Sequence, residues 1–381
     1  MSNQTNSFLE SKPHYLILDG LRGVAAFVVL VYHLCEACGV VLGHGYLGVD
    51  FFYALSGFVI GYAYDNRWGN MTIGSFFKRR IVRLHPMLLM GTTLGLLLYY
   101  FGTSEAFPFI GESPWWVVVG LWLYCSLMLP MPNSWDIRGW QDFNSFNGNS
   151  WSLYWEYLAN ILYALVFRFL PTAVLTVVTA VAAMATLDVT LNIDVFGLLE
   201  GRVGAPFTVN GGWSLTPQEL YVGAVRLMFP FLSGLLLSRV GKYIKMRGAF
   251  VVCSLIVVVM LLVPQLDGLK NGLYETFIIL LAIPFIIALG AGGTIKSKRL
   301  EAACRFLGDI SYPLYITHLP FIYMQLAWMS NHPDASTGTA VMLAVSMFIV
   351  SVGVAYASLK LYDLPLREWL TKHWLKRSSK K

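Results

Sequence analysis

The stretch YLILDGLRGVAAFVVLVYHL, Tyr15 to Leu34, decides how the chain is read. It is twenty residues long and mostly apolar. At about 1.5 Å per residue it reaches across a hydrocarbon core of about 30 Å. Yet it carries Asp19, Arg22 and His33. An ionisable group inside a span is costly unless it faces protein or water. Arg22 and His33 are eleven residues apart. That is close to three turns, so both lie on one face, separated by roughly 16 Å along the axis. Asp19 lies one turn before Arg22, within pairing reach. Gly20, Gly23, Ala25 and Ala26 are small enough to admit a neighbouring helix or a ligand. A charge near one surface and an imidazole near the other describe a site that reaches through the membrane. A lone histidine in a span also serves as an inter-helix hydrogen-bond partner, and that reading stays open on this stretch alone.

Outward from it, composition settles the class. Of 381 residues, 56% are hydrophobic and only 13% charged. Soluble domains carry about 25% charged residues, so the chain reads as a polytopic membrane protein. The polar N-terminus MSNQTNSFLESKPH has no basic region leading to a small-residue cleavage site. The first apolar run is therefore expected to remain as a span. Cys35 and Cys38 form a lone CxxC, and zinc needs about four ligands, so no metal site is expected. With no fused soluble domain, low-complexity segment or clear repeat, residues 1–381 read as one integral membrane domain.

Apolar segments fall near 16–35, 46–64, 85–102, 115–130, 150–170, 172–187, 219–238, 249–264, 273–291, 309–328 and 339–361. Basic clusters fall at Lys78, Arg79, Arg80 and Arg83; at Arg239, Lys242, Lys245 and Arg247; at Lys296, Lys298, Arg299 and Arg305; and from Arg367 to Lys381. Positive charge marks cytoplasmic ends. These clusters are consistent only if 115–130 does not cross. That segment is short for a span and flanked by Pro114 and Pro130, so it is expected to be interfacial or re-entrant. The expectation is an all-α fold of about ten transmembrane helices with both termini cytoplasmic.

Five further stretches carry chemistry. YLGVDFFYALSGFVIGY, residues 46–62, places Ser56 and Gly57 mid-span, a packing point or a ligand contact. FFKRRIVRLHP, residues 76–86, places Arg80 and Arg83 one turn apart. They read either as topology anchors or as a phosphate clamp, because guanidinium forks match phosphate oxygens. NSWSLYWEYLANILY, residues 149–163, places Trp151 and Trp155 where an outer membrane interface is expected, with Glu156 just inside. Glu156 reads as an orienting or proton-exchanging group for an imidazole, or as the structural partner of an arginine. LGDISYPLYITHLP, residues 307–320, places Asp309, Ser311 and Tyr312 at an inner mouth and His318 about two turns deeper. YDLPLREWL follows, with Asp363, Pro365 and Arg367.

In this order, LDGLRGVAAFVVLVYH, FFYALSGF, RIVRLHP, NSWSLYWE and LGDISYPLYITH resemble the membrane-bound acyltransferase-3 family, bacterial enzymes that acylate surface polysaccharides, lipopolysaccharide and related acceptors. The resemblance covers roughly residues 20–320. It implies a ten-helix core in the bacterial inner membrane and an O-acyltransferase, most often an O-acetyltransferase. The donor would be cytoplasmic acetyl-CoA or another acyl-CoA. The acceptor would be a carbohydrate or glycolipid hydroxyl on the periplasmic side. Membrane lipid surrounds such a protein, and no nucleic acid is called for. Carried over, the family's basic residue-x10-His pair falls on Arg22 and His33, its Arg-x-x-Arg on Arg80 and Arg83, its serine on Ser56, and its Trp and Glu on Trp151 and Glu156. His33 and Glu156 are then expected to be catalytic. Arg22, Arg80, Arg83, Ser56 and Tyr312 are expected to bind acyl-CoA, and Asp19, Trp151 and His318 to support them. Two departures stand out: Asp363 replaces the commoner Glu of an acidic-x-Pro element, and the esterase-like domain of some members is absent. The competing class is a transporter or flippase for a glycolipid or acyl group, since buried Asp, Arg, His and Glu also suit a proton relay. Against it, no matched pair of broken helices is apparent in two halves.

Overall fold

The computed structural model describes residues 15–202 and 205–375. The expectations for the N-terminal leader and for the last residues of the basic tail lie outside them. Among the described residues the fold is all-helical, with no β-strand. The principal helices are α1 (Leu16–Glu36), α2 (Gly48–Tyr64), α3 (Ile73–Leu97), α4 (Trp115–Ser126), α5 (Trp151–Leu165), α6 (Thr172–Thr190) and α7 (Pro217–Val240). They continue with α8 (Ala249–Leu262), α9 (Leu269–Phe277), α10 (Ile283–Gly292), α11 (Lys298–Thr317), α12 (Leu319–Asn331), α13 (Thr337–Ser358) and α14 (Leu364–Leu370). Each apolar segment read from the sequence falls on one of these, except 273–291, which α9 and α10 share, and 309–328, which is split between α11 and α12. Among the described residues, six helical stretches are long and apolar enough to cross a membrane: 16–36, 45–70, 172–190, 217–240, 269–292 and 337–375. The others are short, as α4, α5, α8 and α12 are, or charged, as α3 and α11 are. At 12 residues, α4 is about 18 Å long, less than the hydrocarbon thickness, and it leaves Trp115 and Trp116 exposed.

Proline explains the irregular joints. α9 passes into α10 through a π-turn over Ile278–Ala282 just before Pro284, and α13 passes into α14 through one over Leu359–Asp363 just before Pro365. A proline has no N–H to offer the preceding turn, and a wider turn absorbs the mismatch. Between α11 and α12 the chain breaks at His318, two residues before Pro320. The break leaves the carbonyls of Tyr315 and Ile316 without helical donors. The side chain of Asn147 donates to Ile316 O at 2.7 Å, and that of Asn149 to Tyr315 O at 3.1 Å. The loop 127–150 is thereby folded onto the bundle rather than left free.

Two close helix pairs set the frame. α1 packs on α11 with Gly23 against the Leu307 backbone, a contact that a Cβ would block. α2 packs on α7 through a reciprocal pair. A side chain on Gly57 would overlap the Phe231 carbonyl, and one on Gly234 would overlap the Ala54 carbonyl. So Gly57 is a packing residue, and its neighbour Ser56 is turned elsewhere. The α2–α7 pair is also clamped by Arg226 and Asp50, both fully buried, with Nη2 to Oδ2 at 2.7 Å. Arg226 donates further to the carbonyls of Gly211 and Tyr46, so most of its donors are satisfied inside the protein.

One expectation is corrected. Trp151 and Trp155 do not form an outer interface belt; both are buried. Trp151 lies beneath the Arg226 guanidinium at 4.9 Å, and Trp155 Nε1 donates to Gly212 O at 2.9 Å. The segment 207–215 covers them, and Gly223 leaves the space that the Trp155 ring fills.

Candidate functional site

A cavity of about 150 Å³ opens between α1, α2, α3, α5 and α11. Arg22, Ser56, Arg80, Arg83, Glu156 and Tyr312 all line it, so six residues from five separated stretches meet in one place. A water needs about 10–15 Å³ by the same kind of measure, so the space holds roughly ten waters or the narrow end of a ligand.

Each polar group in the lining has its own setting. Glu156 Oε1 accepts from Ser56 Oγ at 2.6 Å and from Arg80 Nη2 at 2.8 Å. Glu156 is thus joined to an arginine and a serine, not to His33. Arg80 keeps a buried Nε with no partner among the described residues. Arg22 donates from Nε to Ser311 Oγ and from Nη2 to Gly308 O, both at 2.8 Å, with Asp19 at 3.8 Å. Tyr312 donates to Leu84 O at 2.5 Å. Arg83 has no hydrogen-bond partner among the described residues. The charges acting on it are those of Arg367, Arg22 and Arg80, all positive, and of Asp363. Asp363 is itself engaged by Arg367 at 3.1 Å. Three guanidinium groups against one carboxylate leave the lining with an excess of positive charge, which favours an anion there.

The imidazole end is different. His33 does not line the cavity. A file of rings runs between them: Phe52 to Tyr315 at 5.4 Å, Tyr315 to His318 at 6.1 Å, His318 to His33 at 5.5 Å. Phe52 and Tyr315 belong to the cavity wall. His318 is fully buried, with Nδ1 2.9 Å from Leu314 O and Nε2 3.1 Å from the Asn149 amide nitrogen. This assigns the Nδ1–H tautomer, with Nε2 accepting. His33 is partly exposed, and its Nδ1 lies 3.3 Å from Glu36 Oε2.

The sequence does not single out Phe52, Glu36, Asn149 or Tyr315, and it offers Ser311 only as a neighbour of Tyr312. Tyr315 and Ser311 are one turn apart in LGDISYPLYITH, and Glu36 is one turn beyond His33, so helical spacing was the available signal. Asn149 left none.

A family model described as an acyltransferase domain, that of the acyltransferase-3 family, matches residues 15–360. The chain is similar to "Protein 2 in picA locus" of Rhizobium radiobacter, 33% identical over 162 residues, covering 39% of this chain and 81% of that protein. It is similar to "Putative peptidoglycan O-acetyltransferase YrhL" of Bacillus subtilis, 25% identical over 331 residues, covering 81% of this chain and 48% of that protein. A Staphylococcus aureus relative named "Putative O-acetyltransferase SACOL0978" is 36% identical over 106 residues, 25% of this chain and 17% of the relative. The chain therefore spans about half of the Bacillus protein and less of the staphylococcal one. No solved structure matches at a significant level.

Proposed function

Because the chain belongs to the acyltransferase-3 family, and is thereby an acyltransferase, we propose that it moves an acetyl group from cytoplasmic acetyl-CoA to a carbohydrate or glycolipid hydroxyl beyond the bilayer. The observation that carries this is the cavity lined by Arg22, Arg80 and Arg83, with positive charge in excess of what Glu156 neutralises. Phosphate oxygens of CoA suit Arg83 at the cavity wall. The nucleotide would stay at the cytoplasmic mouth, while the pantetheine arm carries the thioester inward.

In this reading ten helices span the inner membrane, α4 lies in the outer interface, and both termini are cytoplasmic. The basic clusters support that arrangement, and the shortness of α4 agrees with it. A reporter fused at Asn133 is expected on the outer side; a cytoplasmic signal there overturns the topology. His33, near the outer end of α1, takes the proton of the acceptor hydroxyl. Phe52 and Tyr315 must part for the thioester to approach it. Until then the ring file closes the cavity side of His33.

The deciding measurement uses the purified full-length protein in lipid nanodiscs with labelled acetyl-CoA and isolated surface glycans. Label transfer with equimolar CoA release is the expected result. Movement of a glycolipid across the bilayer with no CoA released would favour a flippase and overturn the proposal.

A further inference from the structure

We propose that Glu36 is the positioning residue for His33, holding the imidazole in one tautomer so that its second nitrogen accepts the proton of the reacting hydroxyl. This deepens the acyl-transfer reading and rests on it. Glu36 is the last residue of α1, one turn beyond His33, and is more than half exposed. Its Oε2 lies 3.3 Å from His33 Nδ1. That is the long end of hydrogen-bond range, as befits a pair that tightens when substrate arrives. The Tyr32 ring meets the His33 ring edge-on at 5.1 Å.

Elimination supports the assignment. Glu156 is committed to Arg80 and Ser56, on the far side of Phe52 and Tyr315. The titratable groups facing His33 are Glu36 and Tyr32 from α1 and His318 from the α11–α12 break. His318 spends its N–H on Leu314 O and its lone pair on Asn149, so it neither donates to nor accepts from His33. Among the described residues, Glu36 is the carboxylate within reach of the imidazole.

The step balances as follows. The acceptor oxygen bonds to the thioester carbonyl carbon as its proton passes to His33 Nε2. The carbon–sulfur bond then breaks, and the proton leaves with the sulfur as free CoA thiol. Glu36 remains a carboxylate throughout. It keeps Nδ1–H in place and offsets the imidazolium charge in the transition state.

The test compares wild type, Glu36→Gln and Glu36→Asp as full-length protein in nanodiscs. Two readouts are taken: acetyl transfer, and the tautomer of His33 by 15N-histidine spectra, assigned with His33→Asn. Glu36→Gln is expected to lower kcat about tenfold or more while leaving the KM for acetyl-CoA little changed. Glu36→Asp recovers part of kcat. The wild-type spectrum shows Nδ1–H, and Glu36→Gln shows a mixture of tautomers. Unchanged kcat and tautomer in Glu36→Gln overturn the proposal. If Glu36→Gln inserts poorly, Glu36→Asp with wild-type kcat and a mixed tautomer overturns it equally. If wild type transfers no acetyl group, the acyl-transfer reading fails, and the tautomer measurement still judges the His33–Glu36 pairing by itself.

Discussion

The two ends of the α1 stripe are built on opposite plans. At the Arg22 end the protein leaves a cavity, an unpartnered Arg83 and an idle Arg80 Nε. At the His33 end it fills space with rings and satisfies His318 on both nitrogens. A place that holds unspent cations is prepared for a charged ligand. A place that is packed and hydrogen-bonded is prepared for geometry, and admits a reactant only when something moves. On the proposed function, one helix joins a binding end to a chemical end, with Phe52 and Tyr315 between them.

The largest test of that division is His33→Ala. It is expected to reduce acetyl transfer by about a hundredfold or more, with acetyl-CoA affinity unchanged in equilibrium binding. A parallel loss of affinity would erase the distinction. At the other end, Arg83→Ala should weaken acetyl-CoA binding by roughly tenfold or more, the worth of a charged hydrogen bond to phosphate. Arg80→Ala should behave differently, because it strands the Glu156 carboxylate. A loss of about 2–3 kcal/mol in stability is expected there, read by denaturation in detergent, alongside weaker binding.

That contrast was partly visible in the chain. Charges inside apolar stretches are conspicuous, so Arg22, Arg80, Arg83 and Glu156 could be picked out and are found together with Ser56 and Tyr312. Their pairings were not legible. Glu156 reads from sequence either as an imidazole's partner or as an arginine's, and only the fold selects Arg80, since which helices face each other depends on crossings such as Gly57 on Gly234. Trp151 and Trp155 follow the pattern of an interface belt, but a loop more than fifty residues later in sequence covers them. Glu36 was read past because a carboxylate just beyond a span looks like ordinary solvation. Spacing along one helix survives in sequence; the identity of the neighbour across the gap does not.

A smaller effect concerns the loop 127–150 that braces the α11–α12 joint. Asn147→Ala removes the donor to Ile316 O and should cost about 1–3 kcal/mol in stability. The hydrogen exchange of residues 316–320 should rise. If that segment is unaffected, the loop does not brace His318. Smallest is a pH effect in the same loop. Burial, helped by the nearby negative charge of Asp136 and opposed by Arg138, pushes the Asp142 carboxyl up to about 7. A folded-state value above the unfolded one means the stabilisation is fully present at low pH and is lost as pH rises from about 4 through 7. Hydrogen exchange of residues 142–149, corrected for intrinsic rates, should therefore be slower at pH 5 than at pH 8. Asp142→Asn should remove the difference.

The asparagine side chains that close the broken α11–α12 joint also impose an order on biogenesis. Asn147 and Asn149 leave the ribosome 169 and 166 residues ahead of the carbonyls they serve. The early half of the protein must therefore stand ready as a template, and the late helix reaches its final shape only by docking on it. Deleting 144–149 would let synthesis finish but leave two polar backbone groups bare in the last third of the chain. Membrane proteases, rather than an activity assay, would register that error first.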